Sequence, residues 1–162
     1  LALIIAIGVI LLARVFNTWG DADGRYPVIS VVDGDTIKVR MSGATESVRL
    51  IGIDAPEAQA PDRQAQCFAT EASAIATELL DGKVVRLEFD ASQGRRDRYE
   101  RLLAYVWIED ENFNEWMIRN GYAREFTYNT TYRHQETFKA AEAEARAAQR
   151  GLWAATTCNG RL

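Results

Sequence analysis

Three short β-rich runs follow one another with only turn-length gaps, over residues 28–32, 36–41 and 47–53. In the second, Ile37, Val39 and Met41 alternate with Lys38 and Arg40, the period of a strand with one buried face. Asp33-Gly34 and Ser42-Gly43-Ala44-Thr45 are turn sequences. Gaps this short pair neighbouring strands antiparallel, because a parallel crossover needs a dozen or more residues. The period then changes. Ala72, Ile75, Ala76 and Leu79 form a helical stripe within residues 69–80, and Gly82 is a natural stop. Two further strands are expected at 84–89 and 101–108. Asn114 is placed to cap a short helix ending at Gly121. An alanine-rich helix with mixed charge is expected over 135–150, ended by Gly151. Three strands, a helix, two strands and two helices predict an α+β fold, a small closed five-stranded β-barrel packed against three helices.

The chain of 162 residues suits one domain with an appendage. Residues 1–13, LALIIAIGVILLA, carry no charge and no polar side chain, and Arg14 and the GDADG stretch follow. Residues 1–24 are therefore read as an N-terminal hydrophobic anchor or signal segment with a linker, and residues 25–162 as the folded domain. The run matches a signal-peptide core in length. The missing cleavage pattern favours an uncleaved membrane anchor, with a buried helix as the third alternative. The expected location is extracytoplasmic and bacterial-type, membrane-anchored or secreted, with the membrane orientation left open. Charged residues at 26% and aromatics at 10% describe a globular chain, not a disordered one. Two cysteines cannot build a four-thiolate zinc site, and one histidine cannot build a histidine-pair metal site. The net charge of −4 argues against non-specific coating of DNA but leaves room for carboxylates that hold a cation.

Asp35 stands where the second strand opens and Asp54 where the third closes, so a hairpin brings the two together. Two carboxylates at one barrel edge make a hard-oxygen site suited to Ca²⁺ or Mg²⁺. Pro56 biases Ala55 towards an extended conformation, which offers the Ala55 carbonyl as a third, neutral ligand. Glu57, three residues beyond Asp54, is close enough to share the site and displaced enough to hold a water. Each of these acids also fits a solvated turn. Arg49 lies among apolar neighbours in the third strand and needs a partner unless it faces solvent, and Arg101 opens the fifth. Two guanidiniums beside a carboxylate–metal centre describe a phosphate clamp. The segment 56–68 is long enough to be a functional loop.

Val32-Asp33-Gly34-Asp35-Thr36, then 49–57 (RLIGIDAPE), then 97–105 (DRYERLLAY) together resemble the staphylococcal nuclease (thermonuclease) family in order, spacing and flanking strands. Asn114-Glu115 through Gly121 and the ending Arg150-Gly151-Leu152-Trp153 extend the resemblance over about residues 28–153. It implies an OB-fold barrel with three helices. It also implies Ca²⁺-dependent hydrolysis of DNA and RNA, cutting the bond to the 5′ oxygen and leaving a 3′ phosphate. By resemblance Asp35, Asp54 and the carbonyl of Ala55 bind calcium, Glu57 is the general base, and Arg49 and Arg101 are catalytic phosphate binders. Ala55 stands where some members have threonine, and the loop after Glu57 lacks the lysines of the best-known members.

Tyr128 or Tyr132 can stack a base or pack on the barrel. Lys38, Arg40, Arg95, Arg96 and Arg98 either line a substrate path or are solvated. Cys67 and Cys158 can pair in an oxidising compartment or remain free thiols. The expected partners are DNA and RNA as substrates and a membrane through the N-terminal segment, with the domain acting as a monomer. The competing reading is a binding module, the same barrel recognising nucleic acid or protein without hydrolysis.

Overall fold

The computed structural model describes residues 24–58 and 64–161. Residues 1–23, which hold the hydrophobic run 1–13 and its linker up to Gly24, lie outside them, as do residues 59–63. No helix among the described residues is long and apolar enough to cross a membrane. The elements are β1 (Arg25–Val31), β2 (Thr36–Met41), β3 (Ala44–Leu50), β4 (Ile53–Asp54), α1 (Ala69–Leu80), β5 (Val84–Glu88) and β6 (Leu102–Ile108). They continue with β7 (Glu111–Asn112), α2 (Phe113–Arg119), β8 (Arg124–Glu125), α3 (Gln135–Ala147) and a 3₁₀ turn at Gly151–Trp153.

β3, β2, β1, β5 and β6 pair in that order, all antiparallel. Val48, Arg49 and Leu50 of β3 then pair in parallel with Leu102, Leu103 and Ala104 of β6, which closes the five-stranded barrel. This is the OB-fold architecture with three helices. Closure removes the exposed sheet edges that would otherwise invite pairing with other chains. Val39, Val48, Leu50, Leu87 and Leu102 fill the interior. Lys38 and Arg40 of β2 face out, as the alternation predicts. β6 is buried on both faces from Ala104 to Val106, because helices cover its outer side. α1 buries Ala69, Ala72, Ala76 and Leu80, so its stripe is rotated slightly from the predicted one, with Ile75 and Leu79 at its margin.

Two local expectations are corrected. The third strand ends at Leu50, not Ile53, and Gly52 turns the chain with φ +78°. A Cβ at Gly52 would also lie 2.7 Å from the Tyr132 ring, so both backbone and packing demand glycine there. Ile53 and Asp54 start a separate strand, with Asp54 opposite Arg124 of β8. The cap of α2 is Asn112, whose side chain accepts the Glu115 amide. Asn114 is fully buried instead, accepting the Val106 amide at 2.9 Å and donating to the Ile51 carbonyl at 2.9 Å. It satisfies backbone groups at the barrel–helix junction that would cost about 1–3 kcal/mol each if left unpaired.

Cys67 and Cys158 form a disulfide, with S–S 2.03 Å. It joins the end of the 56–68 loop to a small second core of Ala145, Leu152 and Trp153, against which Phe68 packs.

Candidate active site

The turn between β1 and β2 is built by its own side chain. Oδ1 of Asp33 accepts the Asp35 amide at 3.0 Å, an Asx turn that places Asp35 at the mouth of the hairpin. Gly34 permits this turn to lie against the chain beyond β4, since a Cβ there would be 2.6 Å from the Ala55 Cβ. The pairing of Thr36 with Arg49 continues one step further, the Leu50 amide donating to the Asp35 carbonyl at 2.9 Å.

Asp35 is 5% exposed. Its Oδ1 accepts the Thr36 hydroxyl at 3.0 Å, and its Oδ2 accepts the Ala55 amide at 2.9 Å and pairs with Nη2 of Arg49 at 3.1 Å. The other arm of Arg49, Nη1, donates to the carbonyls of Leu50 and Ile53, both at 2.8 Å. Arg49 is thus held by the turn that Gly52 makes, and its Nη2 also lies 3.8 Å from Oδ1 of Asp54. Both aspartates converge on one guanidinium. Burial pushes the Asp35 carboxyl up to about 6, against the lowering effect of Arg49 and with a further push from Asp33. Such a carboxyl gains from additional positive charge.

Arg101 enters from the turn before β6. Its Nε and Nη2 reach Oδ2 of Asp97 at 2.8 and 2.7 Å, and its Nη1 lies 3.5 Å from the Thr36 hydroxyl, which in turn donates to Asp35. Burial alone would raise the Asp97 carboxyl, but the Arg101 side chain and amide hold it below its ordinary value. Glu57 stands at the neck of the long loop. Its amide donates to the Gln66 side-chain carbonyl at 2.6 Å and its carbonyl accepts the Gln66 amide at 2.9 Å.

Among the described residues, no three acidic, histidine or cysteine side chains lie close enough to share a metal ion. The turn instead offers two carboxylates with a backbone carbonyl between Asp54 and Pro56. That oxygen-only set fits a hard cation completing its shell with water, Ca²⁺ more readily than the rigidly octahedral Mg²⁺. The fit is favoured by the buried Asp35, whose charge Arg49 alone does not fully compensate.

Beside Arg49 and Arg101 opens a cavity of about 400 Å³, lined also by Arg98, Tyr99, Phe126 and Tyr128. The three aromatic rings are exposed. Tyr132 is not part of this wall: it is buried, donating to Glu125 at 2.9 Å. Arg96 also lines the cavity, with its guanidinium paired to Glu46 at 2.9 and 3.0 Å, while Arg95 lies over the Phe89 ring. Sequence reasoning passed over Thr36, Asp97, Tyr99, Phe126 and Arg124. Asp97 and Tyr99 sit inside a quoted motif and were accessible as neighbours of Arg101. Arg124 carries no local signal, because only the β4–β8 pairing brings it to Asp54.

The family model of staphylococcal nuclease homologues matches residues 47–155. A thermonuclease of Staphylococcus hyicus is 40% identical over 128 residues, 79% of this chain and 75% of that protein. A thermonuclease of Staphylococcus intermedius is 38% identical over the same shares of each chain. The endonuclease YncB of Bacillus subtilis is 35% identical over 123 residues, 75% of this chain and 58% of its own length. With a closed barrel, paired aspartates on one arginine and these relatives, the chain belongs to the staphylococcal nuclease family.

Proposed function

We propose that this domain is a calcium-dependent nuclease that hydrolyses phosphodiester bonds of DNA and RNA and leaves 3′-phosphate ends. The observation that carries the reading is the convergence of Asp35 and Asp54 on Arg49, next to an arginine- and aromatic-lined cavity. Asp35, Asp54 and the Ala55 carbonyl would hold the calcium ion. When bound, the ion supplies charge neutralisation at a phosphoryl oxygen and in the carboxylate pair.

The chain's own residues do the rest. Arg49 and Arg101 are both anchored, one by backbone carbonyls and Asp35, the other by Asp97. Anchored donors aimed where charge develops need little reorganisation as the non-bridging oxygens gain negative charge. Glu57 accepts a proton from the attacking water. The water oxygen bonds to phosphorus, the bond to the 5′ oxygen breaks, and that oxygen takes a proton from solvent. One strand end then carries a 3′ phosphate and the other a 5′ hydroxyl. Tyr99, Phe126 and Tyr128 offer faces on which bases stack, which tolerates any sequence. An exported location is supported by the Cys67–Cys158 disulfide, since disulfides persist in oxidising compartments.

The test is digestion of single-stranded DNA and of RNA with calcium, with magnesium, and with a calcium chelator, followed by end-group analysis. Calcium-dependent cleavage with 3′-phosphate ends is expected. Retention of nucleic acid without cleavage would establish a binding module instead.

A further inference from the structure

Arg124 stands directly across the β4–β8 pair from Asp54. Its Nε and Nη2 both donate to Oδ2 of Asp54, at 2.9 and 2.6 Å. The other oxygen, Oδ1, has a looser neighbour, Nη2 of Arg49 at 3.8 Å. The two oxygens of one carboxylate are therefore in unlike states. Oδ2 is engaged by two charge-assisted hydrogen bonds, which are short and strong, and Oδ1 is not. Asp35 shows no such guanidinium fork: its oxygens are held by a hydroxyl, an amide and one arm of Arg49.

A carboxylate can meet a calcium ion with one oxygen or with two. We propose that Arg124 is a positioning residue that reserves Oδ2 of Asp54, so that Asp54 meets its cation through Oδ1 alone and with lowered affinity. The inference rests on the reading of Asp54 as a calcium ligand. Two effects act in the same direction. Two-oxygen contact would require breaking both hydrogen bonds to Arg124. A guanidinium next to the ligand also repels a divalent cation at close range. The consequence is a site loaded only where calcium is abundant, as in extracellular modules that bind at about 10⁻⁴–10⁻³ M.

The test is calorimetric titration of Ca²⁺ into the whole chain, without nucleic acid, for the wild type and for Arg124→Gln, Arg124→Lys and Asp54→Asn. Glutamine removes the charge and the fork. Lysine keeps the charge and loses only the fork. Arg124→Gln is expected to tighten calcium binding about fivefold or more, and Arg124→Lys about twofold. Tightening separates this role from a merely structural one, since a damaged site would bind more weakly. An affinity equal to or weaker than wild type in Arg124→Gln overturns the inference. Should that variant not fold, Arg124→Lys decides by the same criterion. A wild type that binds no calcium, or binding unchanged in Asp54→Asn, overturns the calcium reading of Asp54 itself.

Discussion

The Ala55 amide donates to Oδ2 of Asp35 at 2.9 Å, across twenty residues of sequence. This bond joins the turn that opens β2 to the segment that follows β4. It places the carbonyl-bearing residue and the buried carboxylate in one unit. The same oxygen pairs with Arg49, so the unit also contains a cation fixed by the Leu50 and Ile53 carbonyls. Small shifts in any of the three would be felt by the others.

Arg49 and Arg101 are expected to separate on stability while agreeing on activity. Each replaced by alanine should lower turnover on single-stranded DNA by about 10²-fold or more, the usual loss for one transition-state donor. Arg49 has a side chain only 16% exposed and is an ion partner of buried Asp35. Its loss should also cost about 1–3 kcal/mol of stability, as a buried polar group loses its partner. Arg101 is more exposed, and its partner Asp97 keeps the Tyr99 and Arg101 amides as donors, so Arg101→Ala should melt close to wild type. Parallel thermal melts and initial rates check both parts.

Glu57→Gln keeps shape and the backbone bonds with Gln66, which do not involve the carboxylate. Turnover should fall by about 10²-fold or more if Glu57 takes the water's proton. Calcium affinity should be retained, since Asp35 and Asp54 remain. Single-turnover rates and a calcium titration on the same variant decide it. A preserved rate with preserved binding assigns the proton elsewhere.

Replacing Cys67 and Cys158 by serine opens a covalent link with a sequence separation of 91 residues. Cross-links of this span stabilise by about 2–5 kcal/mol, so the melting temperature should drop by several degrees or more. The loop neck keeps its own hydrogen bonds between Glu57 and Gln66. The rate of the folded variant should therefore stay close to wild type. Melts with and without reductant, and rates at a temperature where both forms are folded, separate the two effects.

The barrel was legible because its strands alternate: Ile37 and Val39 point in, Lys38 and Arg40 out. Asp35 and Asp54 do come to one guanidinium, but not as the two ends of one hairpin: β3 stops at Leu50, and Asp54 reaches Arg49 from β4, beyond the Gly52 turn. What could not be read was anything set by pairing between distant short segments. β8 is two residues long, too short to show a period, so Arg124 could not be assigned to Asp54. In Asn112-Phe113-Asn114 either asparagine has capping chemistry. Only packing decides that Asn112 caps α2 while Asn114 is buried against Val106 and Ile51. The turn at Gly52 was hidden for a similar reason: apolar Ile51 and Ile53 on either side read as a continuous strand, though the chain turns between them.

Asp90 gives the last prediction, on acid stability. It is 6% exposed and accepts four hydrogen bonds. They come from the Arg133 amide at 2.7 Å, the Tyr105 hydroxyl at 2.9 Å, and the Ser92 amide and hydroxyl at 3.0 and 2.8 Å. Burial alone would raise its carboxyl, but these donors outweigh it and lower the carboxyl from 3.8 to about 2. A carboxyl lowered on folding stabilises the fold above its unfolded value. That contribution, about 2 kcal/mol for a shift of this size, is present at neutral pH. It is lost progressively as pH falls below about 4 towards 2. The same turn braces the cavity wall, because the Gln93 side-chain amide donates to the carbonyls of Thr130 and Thr131 beside Tyr128. Asp90→Asn cannot be ionised and turns an N–H₂ towards existing donors. It should be less stable than wild type by about 2 kcal/mol at pH 7, with the gap closing as pH falls from 4 to 2. Urea unfolding of both proteins across that range measures it. A gap that stays constant would mean that Asp90 does not hold its charge through these four bonds.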